Sequence, residues 1–267
     1  MQNLSYEAIF EFVQSDVIQP FYIKRLEKLN RLTFDELLKR KNPYLFKAKN
    51  IQTAEEFTRY ILDAFLSSQE ETIFGDLMEK LAIHICEAIF GGYKAEQGKF
   101  KSIDLIFDRD GKTYLVGIKS GPHWGNKDQQ DAMKRNFKAA KELLRAEGNT
   151  QEIIAVNGCC YGKDSQPDKG EYLKLCGQAF WSLISGDDDL YMKIIEPLDE
   201  EAKQKDDMFK DAYTKKINMF TAEFLNGYSV NGEIDWAKFL QFVSRRPVPK
   251  LASEPKTTRR TAKAKRI

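Results

Sequence analysis

The chain is 267 residues long, 42% hydrophobic and 31% charged, with a formal net charge of +2. That length and balance suit one large or two small globular domains and exclude a fibrous or unfolded chain. No run of about 18 apolar residues occurs, so no helical membrane span is supported, and Met1-Gln-Asn-Leu-Ser5 is not the opening of a secretory signal, so a cytoplasmic protein is expected.

In chain order, residues 4–41 carry helical periodicity. Leu4, Ile9, Phe10, Phe12 and Val13 line one predicted helix; Phe21, Ile23, Leu26 and Leu29 line another. Thr33-Phe-Asp-Glu36 has the form of a capping box before Leu37-Leu38, and Asn42-Pro43 stops that helix. Tyr44, Leu45 and Phe46 are expected to pack back on the core. Residues 1–50 thus read as a helical scaffold segment, with dimerisation as the rival role. Thr53-Ala-Glu-Glu56 is a second capping-box pattern, opening a predicted helix through Phe57, Ile61, Leu62 and Phe65. A separate helix is predicted from Glu71 to Phe90, closed by Gly91-Gly92. Its apolar stripe is Phe74, Leu77, Met78, Leu81, Ile85 and Ile89, and Glu79 lies just beside it among the small residues Gly75, Ala82 and Cys86. A carboxylate so flanked can approach a sheet closely; a solvated surface glutamate is the other reading.

Ser102-Ile-Asp-Leu-Ile-Phe107 and Thr113-Tyr-Leu-Val-Gly-Ile-Lys-Ser120 flank a turn containing Asp110-Gly111, a strong hairpin signal. Asp104 falls in the first predicted strand and Lys119 near the end of the second. Ionisable groups in apolar strands are costly unless they have a partner, a metal or water, so this hairpin is the predicted seat of chemistry.

Asp104 followed by a turn and Gly117-Ile118-Lys119 resembles the active-site hairpin of the PD-(D/E)xK nucleases. The continuation Ser120-Gly-Pro-His-Trp-Gly-Asn126 and the upstream Leu66-Ser-Ser-Gln-Glu-Glu-Thr-Ile-Phe-Gly-Asp-Leu-Met-Glu79 are similar to the type II restriction endonucleases within that superfamily. The resemblance spans residues 40–200 and implies an α/β fold, a restriction-endonuclease-like mixed β-sheet flanked by helices, with helical N- and C-terminal additions. There are two departures: Gly117 stands where the family places Glu or Asp, and Ser102 replaces the proline.

Beyond the hairpin, Asp128 to Glu147 is a basic amphipathic helix, with Lys134, Arg135, Lys138, Lys141 and Arg145 beside Met133, Phe137, Ala140 and Leu143. Its basic side is either a solvated face or a phosphate-contacting one. A central strand is predicted over Gln151–Cys160, a turn-rich loop over 161–170 and a short helix over Gly177–Ile184. Asp187-Asp-Asp189 lacks the ligand pattern of an EF-hand and reads as an acidic turn capping a helix. Tyr191 to Ile195 is predicted as an edge strand, 199–226 as a long charged helix, and Ile234–Val243 as a terminal helix. Cys86, Cys159, Cys160 and Cys176 lack zinc-site spacing and are expected to be buried reduced thiols. From Arg245 to Ile267 there are nine Lys/Arg and one Glu, near +8 against a whole-chain +2, so the remainder carries about −6. This tail is expected to be disordered; it is either a solubility tail or an electrostatic attractor of nucleic acid. The expected organisation is 1–50 helical, 51–198 nuclease core, 199–244 helical and 245–267 basic tail.

The resemblance implies the chemistry. Asp104 and the Ile118 carbonyl are the implied ligands of Mg²⁺, and Lys119 the group that orients or deprotonates water and offsets phosphate charge. Gly117 leaves the set one acid short. Glu79 is the expected replacement, because such nucleases often carry a glutamate on the helix before the hairpin; Asp128 is second, with Asp108 and Asp110 behind. Ser120, Asn126, Lys127, Gln129, Gln130 and Lys134 are the expected DNA contacts. The implied activity is cleavage of double-stranded DNA at a short site by a homodimer, paired with a cognate DNA methyltransferase. A structure-specific repair nuclease and a non-catalytic DNA-binding module are the alternatives. Only two histidines, His84 and His123, and no Walker loop are present, which disfavours a histidine nuclease and ATP-driven translocation.

Overall fold

The computed structural model describes residues 5–198 and 202–246; Leu4 and the basic tail from residue 247 lie outside them. Helix α1 (Tyr6–Phe12) passes through a π-helical stretch, Val13–Ile18, into α2 (Gln19–Arg31) without a break. The stretch stays helical because Val13, Val17 and Ile18 are buried in the core, whereas Ile23, expected on the apolar stripe, is exposed. The capping box at Thr33 and Glu36 forms as expected and opens α3 (Phe34–Lys39). Pro43 then takes the first turn of α4 (Pro43–Ala48), where its missing N–H costs nothing. On this short helix Phe46 is buried, while Tyr44 and Leu45, expected in the core, face solvent.

The two helices predicted over 53–65 and 71–90 are one helix of 37 residues, α5 (Ala54–Phe90). No glycine or proline interrupts residues 66–71, and Thr72 returns its hydroxyl to the Ser68 carbonyl, so polar residues there do not end the helix. Thr53 accepts the Glu56 N–H as its cap, and Gly91 closes the other end in a left-handed conformation with φ 67°.

A five-stranded mixed sheet follows in the order β1 (Tyr93–Lys94), β2 (Leu105–Arg109), β3 (Lys112–Lys119), β4 (Glu152–Cys159), β5 (Leu173–Cys176). The β1–β2 and β2–β3 pairs are antiparallel, and β3–β4 and β4–β5 parallel. The first hairpin strand starts three residues later than predicted, because Ser102 has φ 61° and turns the chain. Helix α6 (Lys127–Ala146) carries the chain from β3 to β4, the crossover that a parallel pair requires. Its Met133, Phe137, Ala140 and Leu144 pack on Leu115, Ile106 and Ala155, one face of the sheet. The second half of α5, with α7 (Gln178–Ser185), covers Val116, Ile118, Leu105 and Val156 on the other face. Three layers result, with the sheet buried on both sides.

Tyr191–Ile195, predicted as an edge strand, is helical in α8 (Leu190–Lys193). Asp187 accepts the Asp189 N–H and binds the Lys193 ammonium at 2.6 Å, a turn that starts a helix and buries Leu190 and Ile194 four residues apart. Beyond residue 201 come α9 (Ala202–Tyr228), a hairpin of β6 (Ser229–Val230) and β7 (Glu233–Ile234), and α10 (Trp236–Ser244). A second core joins Phe57, Ile61 and Leu62 of α5 to Leu37, Leu38, Phe220, Phe224 and Phe239. Arg25 ties these layers, bridging Glu70 and Asp206 while lying 3.5 Å over the Phe209 ring. Helix α5 thus belongs to both cores and transmits the position of the helical additions to the sheet.

Candidate active site

Strand β3 outruns β2. Its pairing with β2 ends at Leu105↔Val116, while its pairing with β4 continues to Lys119↔Cys159. Residues two apart in a strand present their backbone to the same side, so Ile118, like Val116, directs its N–H and C=O to the side that β2 has left. Side chains fill that vacancy. Asp104 Oδ2 accepts the Ile118 N–H at 2.7 Å, and Lys119 Nζ donates to the Ile118 carbonyl at 2.7 Å. Asp104 and Lys119 lie 3.8 Å apart, with Asp104 buried and the lysine half-exposed over the Trp124 ring. Asp104 sits one residue before β2 rather than inside it, yet its N–H still donates to the Val116 carbonyl and its carbonyl accepts from Ala95. The expected trio of Asp104, Ile118 and Lys119 therefore meets at one point.

Glu79 of α5 lies near enough to this point to feel the charges of Asp104 and Lys119. Gly75, one turn earlier, faces Ser120 at the start of the following loop, where a Cβ would make ordinary contact at 3.5 Å. The Glu79 carboxyl is held above the usual carboxylate range, first by burial and then by the negative charge of Asp104, while Lys94 and Lys119 oppose the shift. Lys94 of β1 binds Glu79 at 3.3 Å, a partner that the sequence reading missed. The rival acids differ. Asp128 is exposed in the first turn of α6, and Asp108 and Asp110 lie at the turn end of the hairpin, bound to Thr113 and Arg109. His84 is stacked on Phe12 with its pKa lowered by burial, and His123 is exposed.

Gly117 has a steric reason. A Cβ on it would stand 2.6 Å from the backbone oxygen of Ser102 and 3.6 Å from Phe137. The acid of the family pattern has no room there. Gly117→Ala should therefore lower the melting temperature, with an overpacking cost of about 1–3 kcal/mol; a melt at or above that of the unmodified protein would show that the Ser102 carbonyl yields. Asn157 pairs with Gly117 across the parallel strands, is 1% exposed, and its Oδ1 has no hydrogen-bond partner among the described residues.

The loop 120–126 carries the chain from Lys119 to α6. Gly121 lies against Tyr161, Pro122 accepts from Lys174 at 2.9 Å, and a Cβ on Gly162 would meet Pro122. Asn126 and Gln129 cap each other's backbone and are used in starting α6. Lys127 and Gln130 are exposed beside them, Ser120 is half-buried against Gly75, and Lys134 pairs with Glu171 at 3.3 Å. Of the six expected DNA contacts, two thus have a capping role that the capping-box spacing Asn126-x-x-Gln129 could have disclosed.

Among the described residues no group of three or more His, Cys, Asp or Glu could hold a metal ion. The donors at the site are the Asp104 carboxylate, the Ile118 carbonyl and, from α5, Glu79. All are hard oxygens, and Asp104 and Ile118 already converge on one cation, the Lys119 ammonium. That set fits a hard divalent ion that keeps several waters.

No curated protein matches the chain. A family model described as type II restriction endonuclease EcoO109I matches residues 7–206, which include α1 through the sheet and its covering helices. Such enzymes generally use a divalent metal and bind double-stranded DNA, and no helix among the described residues is long and apolar enough to cross a membrane. The chain belongs to the type II restriction endonuclease EcoO109I family and is a site-specific deoxyribonuclease of that type.

Proposed function

We propose that the protein hydrolyses phosphodiester bonds of double-stranded DNA at a short specific sequence with Mg²⁺ as its ion. The observation that carries this is the convergence of Asp104, the Ile118 carbonyl and Lys119 at the end of β2. Asp104, the Ile118 carbonyl and Glu79 are the residues that would hold Mg²⁺. When bound, the ion supplies charge neutralisation on the phosphate and an acidified water. Lys119 would face the phosphate, offset its charge and orient the attacking water, and would deprotonate that water only after giving up its own ammonium proton. Asp104 stays anchored by the Ile118 N–H, which fixes its carboxylate without using both oxygens.

Exposed Lys127 and Gln130, at the first turn of α6, are the candidate phosphate contacts next to this centre, with Ser120 and Lys134 flanking them. The chemistry resides in 51–198; segments 1–50 and 199–244 are additions, and their described residues are braced on α5. The active form is a homodimer, since one centre cuts one strand and a symmetric pair cuts both; sedimentation that finds only monomer, free and on cognate DNA, would refute it. A cytoplasmic setting and a cognate DNA methyltransferase complete the reading, because an unprotected host site would be cut. The direct test is incubation of the protein with plasmid and Mg²⁺. Discrete fragments support the reading, cleavage confined to branched DNA points to repair, and retention on DNA without cutting points to a binding module.

A further inference from the structure

Ser102 is the anomaly nearest the site. Four described non-glycine residues have positive φ: Asn50, Asp110, Asn231 and Ser102. Asn and Asp tolerate the left-handed region through their short polar side chains, but serine does so less readily. At Ser102 an outside hydrogen bond is present: Asn136 of α6 donates from Nδ2 to Ser102 Oγ at 2.7 Å, across 34 residues of sequence. This conformation places the Ser102 carbonyl oxygen 2.6 Å from the missing Cβ of Gly117, on the sheet face that also carries Lys119. That oxygen accepts no hydrogen bond among the described residues. Directly across from Gly117, Asn157 Oδ1 is also buried without a partner. The Ser102 backbone oxygen and the unpartnered Asn157 Oδ1 thus flank the position where the family pattern has a carboxylate. Unsatisfied buried acceptors are uncommon and call for water or a cation.

We propose that Asn136 is a positioning residue which, by holding Ser102 left-handed, sets the Ser102 backbone oxygen in the place of the absent acid at 117 as an oxygen donor toward the divalent cation. The inference rests on the nuclease reading above and deepens it. It explains why Gly117 is compatible with a working centre: the carboxylate is replaced by a carbonyl that needs its space. Two residues on, the same turn delivers Asp104, whose backbone is fixed by Val116 and Ala95. Asn136 touches neither phosphate nor ion and acts through the backbone of Ser102.

The test is Mn²⁺ binding by titration calorimetry on the full chain, with cleavage and melting measured alongside. Asn136→Leu keeps the size and the helix but removes the donor; it should weaken Mn²⁺ affinity by about 10–100-fold, the usual effect of losing a group that orients a ligand. Ser102→Ala removes the acceptor while keeping the left-handed position unfavourable, and should weaken binding likewise; it stands in should Asn136→Leu fail to fold. Adding Ser102→Gly to Asn136→Leu should restore affinity, because glycine takes φ 61° unaided. A purely structural or DNA-contacting asparagine would give no such rescue. Unchanged Mn²⁺ affinity in Asn136→Leu and Ser102→Ala, or a double variant as weak as Asn136→Leu, would overturn the proposal and leave the nuclease reading intact. Failure of that reading shows elsewhere, as plasmid left uncut by the unmodified protein.

Discussion

Lys119→Ala is expected to abolish cleavage while specific DNA binding and folding persist. The ammonium sits 2.7 Å from the Ile118 carbonyl and 3.8 Å from Asp104, so it is within reach of any phosphate brought to those oxygens. Losing a charge stabiliser at such a position costs on the order of 10²-fold or more in rate. Folding should survive because the lysine is partly exposed and Asp104 keeps its bond to the Ile118 N–H. Lys119→Met is the sharper variant, since its stem still lies over Trp124 and only the charge is lost. Gel retardation with Ca²⁺ measures binding, and single-turnover digestion measures the rate. Cleavage at the unmodified rate in either variant would place the chemistry elsewhere and remove the basis for the site.

Glu79→Gln is expected to cut the rate by about 10–100-fold and to raise the Mg²⁺ requirement, the scale for a carboxylate at or just beyond a metal's ligands. It keeps the shape of the side chain. It also has a pH signature. Burial, then the neighbouring charge of Asp104, raises the Glu79 pKa above the usual carboxylate range. In the metal-free protein Glu79 therefore takes up a proton at a higher pH than an ordinary glutamate and that proton competes with the ion, so the Mg²⁺ requirement of the unmodified protein should rise on the acid side. Glu79→Gln, already uncharged, should lack this acid-side rise while its plateau rate is lower. Glu87→Gln, exposed two turns along the same helix, is the control and should behave as the unmodified protein. If Glu79→Gln cleaves normally and Asp128→Asn does not, the second acid comes from the start of α6 instead.

Much of the site follows from local chemistry. Asp110 and Gly111 both have positive φ, at 51° and 73°, the geometry that an Asp-Gly hairpin turn encodes, and the alternation along β3 then sends Leu115 to one face and Val116 and Ile118 to the other. The period of α6 likewise selects Met133, Phe137 and Ala140 for burial before any partner is known. Thr33-x-x-Glu36 caps itself within four residues. These are contacts between near neighbours in the chain, where residue type and spacing suffice.

What the tertiary structure decided are the contacts between distant residues. Whether α5 breaks near residue 68 depends on its two halves having cores to pack against, and residues 209–239 supply the second of those. The short β5 carries little pattern of its own and is a strand because β4 offers it an edge. Lys94 meets Glu79 only through the β1–β2 pairing. Gly117 reads in sequence as a lost acid, and Ser102 as a neutral substitution. In the fold they are one feature: a left-handed turn, held by Asn136 from another layer, fills with a carbonyl the space that any side chain at 117 would need. Spacing along the chain encodes which way a side chain points, but not which backbone atom from elsewhere already occupies the place it points to.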